Sequence, residues 1–290
     1  MKLLDKGDKV GIIACSNGIN KSMKLKINEL ERILKSIGLN VVFSNTIYKK
    51  YSVFNGSGKE RADELMKFFE NSGIKAVFDI SGGDLANGIL EYLDFNTIKK
   101  NPKLFFGYSD LSVVINALYT KSDIKTYLYQ IRNLIGDNSE IQIKNFKETF
   151  MEGKKSLFDF KYEWIQGKSI EGIVVGGNIR CFLKLAGTEY MPKFKDKILL
   201  LESFSGDVAK MATYLTHYKH LGAFKEIKGI ILGNFTEMEN NQYRPSIIEL
   251  VKEIVSDENM PIIKTSEIGH GSDSKCVIIG KNIELKYYRR

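Results

Sequence analysis

One serine stands at the predicted junction of a strand and a helix, in the stretch KLFFGYSDLSVV at residues 103–114. Such a turn would hold the Ser109 hydroxyl clear of the sheet and aim the first N–H groups of the helix at an oxyanion formed beside it. These residues could therefore present a nucleophile. The alternative is structural, because Ser109, Asp110 or Ser112 could simply cap the helix. The stretch also lacks the glycine that follows the serine in a G-x-S-x-G elbow.

A serine nucleophile needs a general base, and the chain has 3 histidines. His217 and His220 lie near a predicted helix end, where partly exposed histidines are common. No carboxylate motif nearby completes a metal site with them. His270 lies instead between Gly269 and Gly271 in a predicted loop, where packing gives no reason for an imidazole. His270 is therefore the candidate base.

The carboxylate of Glu202 could orient that imidazole. Glu202 ends the apolar run KILLLE, whose last residue would emerge at the edge of a sheet. There it could hold the histidine tautomer and stabilise the imidazolium, as aspartate does in other triads. The alternative is an ordinary solvated strand end.

The stretch DISGGD places a pair of glycines directly after a predicted strand, at residues 82 and 83. Backbone amides in such a loop can approach a negative group closely. One interpretation is an oxyanion hole, and the other is the phosphate loop of a nucleotide kinase with a G-G-D-G motif. Leu85, Ala86 and Asn87 follow where that motif has glycine, and no G-x-x-x-x-G-K-[ST] or G-x-G-x-x-G occurs, so the kinase interpretation is disfavoured.

The elements that would position these residues alternate between strands and amphipathic helices, which is typical of a parallel sheet covered by helices. The predicted strands of the first half are residues 9–15, 39–44, 75–80, 103–107 and 125–130, and the last is expected to close the sheet. Residues 23–37 are predicted to form a helix whose apolar face consists of Leu25, Leu30, Ile33, Leu34 and Ile37.

Residues 138–170 are polar and weakly periodic, so the domain change is expected there. Beyond them, the predicted strands are residues 171–177, 197–202, 227–235 and 275–285, with helices near 178–187, 207–220 and 245–256. We therefore predict two α/β domains. Residues 1–150 would form a Rossmann-like, mostly parallel domain that carries the nucleophile, residues 151–170 a linker or substrate loop, and residues 171–290 a second α/β domain.

Composition restricts the classes of partner and compartment. The 290 residues, 43% apolar and 27% charged, are typical of a globular protein with one large or two medium domains. The net charge of +8 lacks the run of like charges of a nucleic-acid or membrane arm. The N-terminus has no signal-peptide h-region, and no run of about 18 apolar residues occurs. The 3 cysteines form no CxxC pair, so we expect reduced thiols in a cytoplasmic protein without nucleic-acid or membrane partners.

Taken together, these residues resemble the serine LD-carboxypeptidase family, which includes muramoyltetrapeptide carboxypeptidases and microcin-immunity peptidases. The resemblance spans nearly the whole chain. It depends on LDKGDKVGIIACSNG, SGGD, NPKLFFGYSD, the block GGNIRCFLKLAGTEYMP with KILLLE, and GHGSDSKCVIIG.

The resemblance implies a catalytic triad of Ser109, Glu202 and His270, with the nucleophile in the N-terminal domain and the other two residues in a C-terminal domain with a barrel-like sheet. It implies an oxyanion hole formed by the backbone N–H groups of Asp110 and Gly83. It also implies a cofactor-free, metal-free homodimer that binds substrate between its domains.

The substrate implied is a muropeptide or a peptidyl-nucleotide of the microcin type. Muropeptide-cleaving members usually have Tyr-Gly after the paired glycines, whereas Asp84 and Leu85 follow here, which favours the microcin-immunity side. Residues considered for substrate binding are Asp84, Asn87, Arg132, Trp164, Asn178 and Arg180. Either arginine could pair with a substrate carboxylate or form a structural ion pair, and Trp164 could cover the substrate or simply pack. The alternatives are a non-catalytic ligand-binding relative and, third, the kinase-like enzyme.

Overall fold

Two six-stranded sheets with flanking helices account for the fold of residues 2–287, which are the residues that the computed structural model describes. The strands are β1 (Lys9–Ile13), β2 (Asn40–Phe43), β3 (Ile74–Asp79), β4 (Leu104–Gly107), β5 (Thr126–Leu128), β6 (Glu163–Gln166), β7 (Ser169–Asn178), β8 (Lys197–Ser203), β9 (Gly229–Phe235), β10 (Ile262–Lys264), β11 (Val277–Ile279) and β12 (Asn282–Lys286).

The α-helices lie between these strands in the chain. They are α1 (Lys24–Ser36), α2 (Gly58–Glu70), α3 (Phe95–Lys100), α4 (Ser112–Ser122), α5 (Ser139–Phe146), α6 (Ile179–Phe182), α7 (Val208–His220), α8 (Ala223–Glu226), α9 (Thr236–Asn240) and α10 (Ile247–Val255). A 3-10 turn at Ser109–Leu111 leads directly into α4, and another at Ile131–Ile135 follows β5.

The first sheet has the order β11-β5-β4-β3-β1-β2 and is parallel except for β11. Its central strands are largely buried, as expected where helices cover both faces. The order reverses between β3 and β1, so the loops after β1, β3 and β4 meet at a topological switch point, where ligands of such sheets bind.

Helix α1 packs on this sheet with a narrower face than the sequence predicted. Its buried residues are Ile27, Leu30 and Leu34, and Ile37 follows at the helix end. Leu25 is 79% exposed, so that part of the prediction was wrong. Ile27 lies in register with Leu30 and Leu34 at spacings of three and four residues, and Leu25 points away from that stripe.

The second sheet has the order β12-β7-β8-β9-β10-β6 and curls into a half-barrel. Strands β7 to β10 are parallel, and the edge strands β12 and β6 are antiparallel to their neighbours. The predicted fold class, a mostly parallel first sheet and a barrel-like second α/β sheet, is confirmed.

The predicted strand over residues 275–285 is in fact two strands that enter different sheets. Strand β11 pairs with β5, so β5 does not close the first sheet as predicted, and β12 pairs with β7 of the second sheet. Strand β6 also lies within the expected linker. The domain boundaries therefore stay a prediction, because one buried apolar cluster includes Val77 and Leu111 of the first half together with Val174 and Leu200 of the second.

Candidate active site

Ser109 is separated from the end of β4 by Tyr108 and is the first residue of a 3-10 turn. Its φ of 56° is in the left-handed region that non-glycine residues rarely occupy. Strain of this kind is typical of a nucleophile held on a sharp turn between strand and helix. The predicted alternative of a helix cap is wrong, because no side chain caps this turn or α4.

His270 reaches Ser109 from the loop that precedes β11. Its Nε2 lies 3.2 Å from Ser109 Oγ, within hydrogen-bond distance. Gly269 allows this approach, since its φ is 153° and a Cβ there would lie 2.6 Å from the Cβ of Asn234. The rings of Tyr108 and Phe204 lie 4.6 and 5.0 Å from the imidazole, centroid to centroid, and limit its rotation.

Glu202 completes a chain of hydrogen bonds. Its Oε2 lies 2.7 Å from His270 Nδ1, and the side chain is fully buried in the central strand β8 rather than at a solvated strand end. The Tyr108 hydroxyl donates to the same oxygen at 3.4 Å. Burial, followed by the Glu202 charge, raises the pKa of Tyr108 well above its usual value, so the phenol remains a donor.

Three separate parts of the fold therefore supply a hydroxyl, an imidazole and a carboxylate in line. Such a chain can transfer the hydroxyl proton to the imidazole while the carboxylate holds the ring and stabilises its charged form. The structure thus brings the three residues of the predicted triad, Ser109, His270 and Glu202, into direct contact.

The glycine loop after β3 lies beside the serine. A methyl group on Gly82 would lie 4.0 Å from Ser109 Oγ, and Gly82 lines the same cavity. Gly83 has a φ of 118°, and a Cβ there would overlap Asn17, so this position requires glycine. The N–H of Asp110 belongs to the start of the 3-10 turn, where backbone donors lack partners within the helix.

The Asp110 side chain joins the surrounding loops. Its carboxylate accepts hydrogen bonds from the Ser16 hydroxyl at 2.6 Å and the Ala86 N–H at 2.9 Å. It also forms an ion pair with Lys184, which lies beyond β7 in the other half of the chain. The Lys184 ammonium donates in addition to the carbonyl of Asp84. Asp110 thereby links the residues after β1 and β3 to the second half.

A cavity of about 310 Å³ opens over the serine and histidine. Its lining includes Gln130, Arg132 and Asn133 from the loop after β5. A larger cavity of about 620 Å³ lies near α9 and β10, but Ser109 and His270 are not among its lining residues. The smaller cavity is the candidate substrate site because it contains the only pair of groups seen, within residues 2–287, to join a serine hydroxyl to an imidazole.

Two of the residues predicted to bind substrate, Arg132 and Arg180, lie in different surroundings. Arg180 forms an ion pair with Asp84, and this bond lowers the pKa of the Asp84 carboxyl. Arg132 lines the cavity instead. The Asn178 side chain caps α6 by accepting from the Cys181 N–H at 3.2 Å.

Two further predicted contacts lie outside the lining of the cavity over Ser109. Asn87 is exposed on a 3-10 helix, and Trp164 lies on edge strand β6, where it packs against the apolar core. His217 and His220 are exposed at the end of α7. Within residues 2–287, no group of three or more His, Cys, Asp or Glu residues could hold a metal ion, and none of the helices could cross a membrane.

Two protein-family models match this chain. The LD-carboxypeptidase N-terminal domain matches residues 10–129, and the LD-carboxypeptidase C-terminal domain matches residues 171–285. Together these matches cover most of the chain. The chain belongs to the LD-carboxypeptidase family. It is therefore a carboxypeptidase, and the resemblance predicted from its motifs is confirmed.

Relatives of this LD-carboxypeptidase have the same extent. YocD of Bacillus subtilis, which carries a carboxypeptidase name, is 28% identical over 98% of this chain and 94% of YocD. The microcin C7 self-immunity protein MccF of Escherichia coli has a similar fold, with a TM-score of 0.86, 21% identity and coverage of 99% of this chain and 98% of MccF. The muramoyltetrapeptide carboxypeptidase of Oxalobacter formigenes has a TM-score of 0.78 at 24% identity, covering 97% and 95%.

The site of this LD-carboxypeptidase includes residues that sequence reasoning missed. Tyr108 contacts both His270 and Glu202, and Lys184 pairs with Asp110. Adjacency to Ser109 was a signal for Tyr108. No local signal pointed to Lys184, because its partner is 74 positions away in the chain.

Proposed function

We propose that this carboxypeptidase uses Ser109 as nucleophile, His270 as general base and Glu202 as the group that orients the imidazole. The observation that carries the proposal is the unbroken chain of hydrogen bonds from Ser109 Oγ through both nitrogens of His270 to Glu202. The strained backbone of Ser109 supports it as well, because a capping serine needs no left-handed conformation.

In the proposed reaction, His270 removes the hydroxyl proton as Ser109 Oγ attacks the carbonyl carbon of an amide. The backbone N–H groups of Asp110 and Gly83 donate to the resulting oxyanion. The imidazolium then gives its proton to the leaving amine, and the C–N bond breaks. Water, activated by the same imidazole, hydrolyses the ester on Ser109 and restores the hydroxyl.

The proposed substrate is a short peptide of the muropeptide type or a peptidyl-nucleotide. Two kinds of relative support these classes. The relative from Oxalobacter formigenes is named a muramoyltetrapeptide carboxypeptidase. MccF has been solved with aspartyl sulfamoyl adenosine and with glutamyl sulfamoyl guanosine.

Mass spectrometry of two substrates side by side tests the proposal. We would incubate the enzyme with a muropeptide tetrapeptide and with a peptidyl-nucleotide, and expect release of the terminal residue from the tetrapeptide. Ser109→Ala should lower turnover by about 10⁴-fold or more, whereas Ser36→Ala, an exposed serine at the end of α1, should not change it.

Other outcomes of this hydrolysis experiment would support different functions. Cleavage of the nucleotide conjugate alone would make this an immunity-type peptidase, and turnover that survives Ser109→Ala would refute the triad. Cleavage of neither compound would favour the non-catalytic ligand-binding alternative. A rise in melting temperature with ATP in that case would favour the kinase-like one.

We also propose that the enzyme works in the cytoplasm as a homodimer. The 3 cysteines of the chain are free and buried, which suits a reducing compartment. Light scattering on the purified protein tests the assembly, since the mass of one chain is 33.0 kDa and a monomer at micromolar concentration would contradict the proposal.

A further inference from the structure

Two buried hydrogen-bond donors side by side have no partner among the described residues. They are Arg132 Nε and Asn133 Nδ2, both in the 3-10 turn that follows β5. Buried donors in folded proteins nearly always have an acceptor, and leaving one unpaired costs about 1–3 kcal/mol. A pair of them in adjacent residues therefore calls for an explanation.

Both residues line the cavity over Ser109 and His270. The same lining contains one other cation, Lys26, at the exposed rim, and no aspartate or glutamate. Arg132 and Lys26 therefore give the lining of this cavity a net positive charge. Such a wall fits a group that accepts hydrogen bonds and carries negative charge.

The guanidinium of Arg132 has no ion-pair partner among the described residues. Within residues 2–287, no carboxylate lies within 4.0 Å of Arg132. Asp79 acts on it from a greater distance, and its own carboxylate accepts from the Cys15 N–H and from Ser81. Arg180, in contrast, already has Asp84 as its partner. Arg180 therefore has a structural role, and Arg132 is available to bind a ligand.

We propose that Arg132 and Asn133 bind the free α-carboxylate of the residue that the enzyme releases. This inference rests on the proposed function, because it places the carboxylate in the cavity where Ser109 attacks. A guanidinium matches a carboxylate with two parallel N–H donors. Asn133 Nδ2 adds a third donor from the next residue. This pairing makes the enzyme selective for the last peptide bond of a chain, since an internal bond would leave the buried cation unpaired.

The test compares a tetrapeptide that has a free carboxylate with the same peptide ending in a carboxamide. Wild-type enzyme should hydrolyse the acid with a kcat/KM roughly 10- to 100-fold above that for the amide. Arg132→Gln should remove most of this preference by lowering kcat/KM for the acid. Asn133→Asp should weaken it through like-charge repulsion. Arg32→Gln, an exposed arginine on α1, is the matched control and should keep the full preference.

A second measurement separates this inference from the proposed chemistry. In the Ser109→Ala background, calorimetry would compare binding of the acid peptide to chains with and without Arg132→Gln, so it needs no turnover. Weaker binding with Arg132→Gln would support the inference even if the peptide were not hydrolysed. Equal binding, or an equal loss of kcat/KM for acid and amide, would overturn it. So would a loss of affinity confined to a peptidyl-nucleotide, since the anion bound would then be its phosphate.

Discussion

The imidazole of His270 is held on several sides at once. Glu202 binds Nδ1, Ser109 lies at Nε2, and the rings of Tyr108 and Phe204 pack against it. Orientation of this kind fixes which nitrogen faces the nucleophile, and it lowers the entropy lost as the transition state forms. Tyr108 contributes twice, because its hydroxyl also reaches the carboxylate.

At this scale we predict the effect of Tyr108→Phe. The ring remains, but Glu202 loses the donor at 3.4 Å, so kcat/KM should fall about 3- to 10-fold. Because the folded pKa of Tyr108 is raised, its proton stabilises the fold below the ordinary tyrosine pKa of about 10, and this contribution is lost as pH rises above it. The Tyr108 phenol therefore stays protonated between pH 8 and about 10, and the rates of wild type and Tyr108→Phe should change with pH in parallel over this range. A change in rate that occurs only in the wild type would contradict this role of Tyr108.

Residues that follow three other strands meet at the side chain of Asp110, which follows the nucleophile. Asp110 is fully buried and binds Ser16 after β1, Ala86 after β3 and Lys184 after β7. Its backbone N–H is the proposed oxyanion donor, so its carboxylate also sets where that donor points. Removal of one partner from a buried pair is costly because the remaining charge stays uncompensated.

The corresponding prediction concerns Lys184→Met. Two hydrogen bonds to Asp110 remain and Lys184 is 18% exposed, so we expect a loss of about 2 kcal/mol in the free energy of unfolding rather than the full cost of a buried pair. Lys121→Met, which breaks a more exposed pair with Glu189, should cost less than about 1 kcal/mol. Urea denaturation measures both; equal losses would show that the Asp110 pair has no special role.

At the scale of the whole molecule, the two sheets are tied together near the C-terminal end of the described chain. Strand β11 completes the first sheet and β12 the second, with Gly280 and Lys281 between them. The apolar core is shared as well. The serine and its base therefore come from parts of the chain that cannot separate without breaking at least one of the two sheets.

We predict that both sheets unfold in one transition. Trp164, the only tryptophan, reports on β6 of the second sheet, and alkylation of Cys15 reports on the first. Cys15 reacts slowly while folded, because burial raises the pKa of its thiol and hides it. The two probes should give the same urea midpoint.

A matched pair of variants tests the tie between the sheets. Ile279→Ala in β11 removes a fully buried side chain and should lower the free energy of unfolding by about 2–4 kcal/mol. The urea midpoints of both probes should fall together. Ile278→Ala, on the less buried face of the same strand, should lower them less. Alkylation of Cys15 at a lower urea concentration than the fluorescence change would show independent domains.

The sequence by itself determined the fold class, most of the strands and the candidate triad, because hydrophobic periodicity and turn residues are local signals. Ser109, Glu202 and His270 each end or follow a strand, where the carboxyl edge of an α/β sheet gathers ligand-binding groups. The tertiary structure alone decided which sheet β11 joins, that Lys184 pairs with Asp110, and that Arg180 is paired while Arg132 is not. Those outcomes depend on contacts between residues far apart in the chain, and packing and charge pairing at such distances leave no periodic trace in sequence.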